Sequence, residues 1–228
     1  MTIAVSIFLA DHPCARELIS HVPSSVLAGF PENRIEWSQA TLDAFSRYAA
    51  LIAEWNDRAG LVSPRDMPHL AERHILDALS LLPYLPMPSE GKITLMDIGS
   101  GAGFPIFPMK IMRDDLEITL IERNTRKIAF LEWAVNALGF QNMHILEGEF
   151  PARQPETKPR FITARAVEKP TRLLRILKNY LTPETIFICQ FQNPGKILGP
   201  MFHVEPVEDE WSRRGWRRGH LSIVKRRH

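Results

Sequence analysis

The stretch Thr94-Leu95-Met96-Asp97-Ile98-Gly99-Ser100-Gly101-Ala102-Gly103-Phe104-Pro105 constrains this chain more than any other segment. A short apolar run enclosing one acid is followed at once by three glycines at alternate positions. The next apolar run, Ile118-Thr119-Leu120-Ile121, closes on Glu122. Strand, glycine loop, helix, strand and terminal carboxylate in that order build the ligand-holding edge of a parallel sheet. Glycine lets the backbone approach a nucleoside closely, and a carboxylate about 20 residues further on accepts hydrogen bonds from ribose hydroxyls.

The spacing selects among nucleosides. A dinucleotide fingerprint reads G-x-G-x-x-G, with pyrophosphate on the helix N-terminus. Here the glycines are spaced G-x-G-x-G, and Asp97 stands two residues before the first. Acid-x-G-x-G-x-G is the pattern of enzymes that bind S-adenosyl-L-methionine, a ligand with an amino-acid end in place of phosphates. The loop has no Lys and no G-K-[ST] follows, which argues against a phosphate-cradling P-loop. Taken alone, the glycines also suit a structural turn that binds nothing. A NAD-dependent oxidoreductase is disfavoured by the spacing and by the want of a downstream substrate domain.

At 228 residues the chain accommodates one generous domain or a domain with an appendage. No apolar run approaches the roughly 20 residues that would span a bilayer. Met1 to Ala10 is apolar without a basic n-region, and is expected to be a weakly packed extension, not a secretion signal. Cys14 and Cys189 lie far apart and outside any C-x-x-C, so neither a disulfide framework nor zinc is indicated and a reducing cytoplasm fits. His69 and His74 do not share a helical face, and no metal is expected. Residues 1–90 hold six Lys and Arg against eleven Asp and Glu, a net charge of −5, whereas 91–228 hold 22 against 15, a net charge of +7. The densest basic run is Arg213, Arg214, Arg217, Arg218, Lys225, Arg226 and Arg227, interleaved with Trp211 and Trp216. Clustered Arg with aromatics suits phosphate contact and base stacking; a solvated, partly frayed terminus is the alternative.

Periodicity divides the chain into 1–34, an N-terminal extension; 35–90, a helical cap; and 91–228, an α/β sheet domain of Rossmann-like type with a basic tail. Leu42, Phe45, Tyr48, Ala49, Ile52 and Trp55 form one helical stripe ending near Asn56. A second helical stretch runs from Met67 to Leu82, with Ser63-Pro64-Arg65-Asp66 as its start signal. Pro83, Pro86 and Pro88 break the chain before Gly91. Beyond it, strands at 93–97, 117–122, 142–147, 160–164 and 185–191, with weaker ones near 202–207 and 220–225, alternate with helices near 106–113, 124–138 and 170–180. That alternation implies parallel strands, right-handed crossovers and ligands at the carboxyl ends.

Tyr48-x6-Trp55-Asn56, Arg73-His74-Ile75-Leu76-Asp77-Ala78-Leu79, the glycine loop, Lys127-Ile128-Ala129-Phe130-Leu131 and Thr163-Ala164-Arg165-Ala166-Val167 occur in one order. In that order the chain resembles the glucose-inhibited division protein B (RsmG) family over about 35 to 190. These are bacterial class I methyltransferases acting on guanine N7 in small-subunit (16S) ribosomal RNA. The resemblance implies S-adenosyl-L-methionine as cofactor, ribosomal RNA or the small-subunit particle as partner, and a cytoplasmic, RNA-binding monomer that takes part in rRNA processing. It puts the cofactor site on Asp97, Gly99, Gly101, Gly103, Phe104, Glu122 and Arg165, with Glu149 and Phe150 beside the adenine. Arg165 is also the candidate catalytic residue, lining the site at the end of the fourth strand; its alternative is a structural ion pair with Glu122 or Asp97. Arg123, Arg126 and Lys127 are candidate contacts to the RNA backbone, at least one of them being a plain solvated charge. His74 and Asp77, one turn apart, would interact with each other and brace the loop. Trp133 is expected to serve packing and not base stacking.

Glu122 stands where the family has Asp and keeps the same acceptors, and four other places depart from the family pattern. Ile106 stands where the family has Gly, and would crowd the ligand if that Gly serves close approach. Glu149-Phe150-Pro151 replaces Arg-Ala-Glu, Cys189-Gln190-Phe191 replaces a strand ending in Lys-Gly, and Gly60-Leu61-Val62 lacks Asn-Leu-Thr. They leave open a paralogue with another RNA or small-molecule substrate, or a silent RNA-binding protein of the same fold. Because guanine N7 carries an in-plane lone pair, its methylation needs no general base, and the lack of an obvious catalytic dyad is consistent with activity.

Overall fold

The computed structural model describes residues 38–86, 92–213 and 215–227. The N-terminal extension with Cys14, the break around Pro88 and Gly91, and Arg214 lie outside them. Helix α1 (Gln39–Ala59) starts where the Ser38 side chain accepts the Thr41 N–H, and stops at Gly60, whose φ of 59° ends it in the left-handed region. Leu42, Phe45, Tyr48, Ala49 and Ile52 are buried along it, as their spacing requires. The helix continues one turn past the expected end. Asn56 then accepts the N–H groups of Leu61 and Val62 at 3.0 and 2.8 Å, holding the chain as it leaves the helix.

The expected second helix is present from Met67 to Leu79, but its hydrogen bonding changes along it: a 3-10 turn at Met67–His69, a π-helical segment Ala71–Leu76 and helix α2 (Asp77–Leu79), followed by a separate 3-10 turn at Leu82–Tyr84. Its start signal works through a reciprocal pair: the Asp66 N–H donates to Ser63 Oγ, and that hydroxyl donates to the Asp66 carboxylate.

The sheet comprises β1 (Ile93–Ile98), β2 (Leu116–Glu122), β3 (Met143–Glu147), β4 (Phe161–Ala164), β5 (Ile186–Cys189), β6 (Phe202–Pro206) and β7 (Ser222–Arg226). Between them lie α3 (Ile106–Met112), α4 (Thr125–Leu138), α5 (Pro170–Tyr180), α6 (Gly195–Leu198) and α7 (Glu210–Arg213). The order across the sheet is β3-β2-β1-β4-β5-β7-β6. Strands β1 to β5 are parallel, while β7 runs antiparallel to both β5 and β6. Both weakly signalled strands therefore exist, and the basic tail is not frayed: β7 is an interior strand. The order reverses between β1 and β4, the switch point at which parallel sheets open a ligand crevice.

Alternation along β1 sends Ile93 and Leu95 into a core shared with α1, α3 and α4, and Met96 and Ile98 into a second core under α5. Helix α4 is capped at both ends, by the Asn124 side chain accepting the N–H groups of Arg126 and Lys127 and by Gly139 at φ 68°.

Candidate functional site

The glycine loop is set at the crevice by contacts from three directions. The N–H of Gly99 donates to the carbonyl of Ile121 at 2.8 Å, and the N–H of Gly103 to that of Ser100 at 2.7 Å. From α1, the buried Tyr48 hydroxyl donates to the Ala102 carbonyl at 2.7 Å. Burial pushes the Tyr48 phenol well above its usual range, which keeps it a neutral donor. At Gly103, φ is +89° and an added Cβ would stand 2.8 Å from the Phe107 ring, so this glycine serves helix packing.

Glu122 closes the loop from the other side. Its Oε2 accepts the Gly101 N–H at 2.9 Å, and its Oε1 accepts those of Arg123 and Asn124, both at 2.9 Å. Three of the roughly four acceptor positions of a carboxylate are thus taken, leaving one on Oε2. Beneath the loop, Asp97 is almost fully buried; its Oδ1 accepts the Thr163 hydroxyl at 2.6 Å, while Oδ2 has no partner. Burial raises its carboxyl to about 7 against the opposing hydrogen bonds from Thr163 and Ser100.

Gly99, Gly101, Glu122, Arg123, Lys127, Glu149 and Phe150 converge on one cleft. Its apolar wall is Ile98, Ile121, Phe150, Leu173 and Ile176, with Phe150 set edge-on against Tyr180. Not every residue singled out in the sequence lines it. Gly103 and Phe104 do not line the cleft, and Arg126 lies beside Trp55 and Arg58 of α1. Ile106 is fully buried in the core and away from the cleft, so its side chain crowds nothing there. Trp133 is 52% exposed, and its ring meets Trp55 at 6.3 Å.

Arg165 takes part in a separate network. It pairs with Asp77 at 2.7 Å, not with Glu122 or Asp97, and also donates to His74 Nδ1 at 2.6 Å while lying over the Phe104 ring. His74 and Asp77 therefore meet through Arg165, not through each other. Asp77 further accepts Gln190 Nε2 at 3.0 Å and the Arg218 N–H at 2.7 Å. Sequence reasoning missed Gln190 and Arg218 in this role. In the sequence Gln190 shows only that the fifth strand lacks the family's Lys-Gly, and no local pattern marks a backbone N–H as a partner. Close by, buried Arg217 pairs with Asp209, which also accepts the Tyr84 hydroxyl; Trp211 is buried and packs edge-on against Trp216. These tail residues hold the fold together.

The network has a pH signature. Burial, then the adjacent Arg165, depresses His74 to about 4. Its contribution to stability is complete above the unfolded value near 6.5 and is lost as pH falls toward 4. Asp97, raised from 3.8 to about 7, acts oppositely: its contribution is present below 3.8 and lost as pH rises through 7. Urea melts across this range are expected to show a H74Q variant losing up to about 3 kcal/mol less than wild type on acidification from pH 6.5 to 4. Parallel curves for the two proteins would discard the assignment.

Residues 41–190 match the family described as rRNA small subunit methyltransferase G. The chain belongs to that family. A ribosomal RNA small subunit methyltransferase G from Chromobacterium violaceum is 30% identical over 161 residues, covering 71% of this chain and 75% of the relative. Those from Neisseria meningitidis serogroup C and Nitrosomonas europaea are each 36% identical, over 61% and 64% of this chain and 65% of each relative. The chain thus spans just under two thirds of the length of these last two. Among solved structures, a MtNAS variant in complex with S-adenosylmethionine shares the fold with a TM-score of 0.52 at 14% identity, covering 94% of this chain and 98% of its own. A putative O-methyltransferase from Klebsiella pneumoniae does so with a TM-score of 0.50 at 14% identity, over 90% and 97%.

The methyl donor of such enzymes, S-adenosyl-L-methionine, fits the residues present. Gly99 and Gly101, at φ 79° and 56°, expose bare backbone to the cleft. Glu122 keeps one acceptor position, Asp97 keeps an unpartnered oxygen below the loop, and the apolar wall suits a purine. Among the described residues no group of His, Cys, Asp and Glu could hold a metal ion, and no helix is long and apolar enough to cross a membrane.

Proposed function

We propose that this chain is an S-adenosyl-L-methionine-dependent methyltransferase that modifies guanine N7 in small-subunit ribosomal RNA, in the cytoplasm. The observation that carries the reading is the glycine loop tied to Glu122 at the switch point of the sheet, in a chain that belongs to the rRNA small subunit methyltransferase G family. When bound, the cofactor supplies an electrophilic methyl group on a sulfonium.

The chain's own residues then bind and orient. Glu122 accepts a ribose hydroxyl at its remaining acceptor position, and Gly99 and Gly101 bring backbone against the ligand. Ile121 and Phe150 flank the purine, with the backbone of Glu149 and Phe150 at its edge. Arg165 stands at the end of β4 as a cation held by Asp77 and His74. The N7 lone pair lies in the plane of the base and carries no proton, so positioning and electrostatics suffice. In regular A-form RNA that atom lies in a deep, narrow groove, so the target guanine is unstacked or in a loop.

The test is nucleoside mass spectrometry of ribosomal RNA from cells with and without the gene, complemented by wild type or by E122A. Loss of 7-methylguanosine without the gene, restored by wild type alone, is the expected result. Unchanged 7-methylguanosine removes the substrate.

A further inference from the structure

A surface groove leaves the cofactor cleft along α5. It is lined by Glu168, Lys169, Arg172, Arg175, Ile176 and Asn179, together with Pro170 and Thr171. Glu168, Lys169, Arg172 and Ile176 belong to the cleft as well, so groove and cleft form one continuous depression. Three cations, Lys169, Arg172 and Arg175, follow one side of the helix at three-residue intervals and are all exposed. Cleft-lining Arg123 and Lys127 extend the same positive border.

The acids on this face are already engaged. Glu149 pairs with Arg172 at 3.1 Å, and Glu168 with Arg123 at 2.8 Å. No carboxylate among the described residues pairs with Lys169 or Arg175. The helix can spare these cations because its interior face, Leu173, Leu174 and Leu177, is buried and anchors it without them. No aromatic ring lines the groove. A basic depression without a stacking surface suits phosphate and not bases.

We propose that this groove is a docking surface for the phosphodiester backbone of the RNA substrate, a sequence-independent contact that leads the strand away from the cofactor cleft. This rests on the RNA reading above. Lys169 and Arg175 neutralise phosphates when a strand settles between them and release its condensed counterions, so they set the salt dependence of binding. Because Arg175 and Asn179 lie in the groove and outside the cleft, they can be changed without touching the cofactor's surroundings.

The experiment is fluorescence anisotropy of a fluorescein-labelled single-stranded RNA over a salt series, with S-adenosyl-L-methionine affinity measured by calorimetry on the same preparations. R175A is expected to lower the slope of log affinity against log salt by about 0.7, the contribution of one phosphate on a single strand. R175A combined with N179E is expected to weaken RNA binding about tenfold at low salt while cofactor affinity stays at the wild-type value. The comparison is K92E, which removes a cation just before β1, at the end of the strands opposite the cleft. An unchanged slope for R175A, or an equal loss for K92E and the groove variants, overturns the groove while the RNA reading stands. A wild-type protein that binds the cofactor but no RNA overturns both.

Discussion

Replacing Asp77 by alanine is expected to destabilise the protein by about 3–5 kcal/mol, the usual consequence of removing one partner from a buried ion pair. Asp77 is 3% exposed and accepts from three separate segments: Arg165 after β4, Gln190 after β5 and the backbone of Arg218 before β7. Without it, the guanidinium of Arg165 keeps only His74 Nδ1 as a polar partner. The Arg218 N–H and the Gln190 amide are stranded as well. At about 2–4 °C per kcal/mol for a chain of this size, the melting temperature should fall by about 10 °C. D77A combined with R165M should recover part of that loss, because it removes the stranded charge and returns an apolar side chain to the face of Phe104. A melting temperature within about 2 °C of wild type for D77A alone would show that the network carries little of the fold.

The second large effect falls on the cofactor. E122Q and E122A are both expected to weaken S-adenosyl-L-methionine binding at least about tenfold. A hydrogen bond to a charged group contributes about 1.5–3 kcal/mol, with 1.4 kcal/mol for each factor of ten. Anchoring of the loop through Gly101 is lost in addition. The glutamine variant is the sharper test. Its amide has one acceptor oxygen, whereas the backbone presents N–H groups to both carboxylate oxygens. Whichever way the amide turns, an NH2 meets an N–H. Calorimetric titration decides the matter, with a thermal melt to confirm folding. Affinity within threefold of wild type would falsify the placement of the ribose at Glu122.

The two variants separate two parts of the molecule. Glu122 belongs to the cleft, at the ends of β1 and β2. Asp77 belongs to a polar junction that ties the helices before the sheet to β4, β5 and the loop before β7. Cofactor affinity should follow the first and thermal stability the second.

Much of this protein could be read from local pattern. A glycine loop after one apolar run and an acid after the next are features of neighbouring residues, and they suffice for the parallel strands and for placing the loop and Glu122 at the carboxyl edge of the sheet. Helical periodicity likewise identified α1, α4 and α5, because each buries one face and is capped or broken by residues beside it. What local pattern lacks is the choice of partner for a long polar side chain. Arg165 had Glu122 and Asp97 as plausible partners in the chain, yet it pairs with Asp77, 88 residues away. In the basic run Arg217 suits either RNA contact or a solvated terminus, and it is neither, because the packing of the loop before β7 buries it on Asp209. For Ile106 the chain leaves two readings open, an obstacle to the ligand or a packing residue, and α3 decides for packing by turning it into the core. Each of these depends on which surfaces meet once the strands are ordered. The physical reason is that periodicity encodes which face of an element is apolar, whereas an ion pair is decided by the cost of leaving a charge without a partner at a junction that exists only after folding.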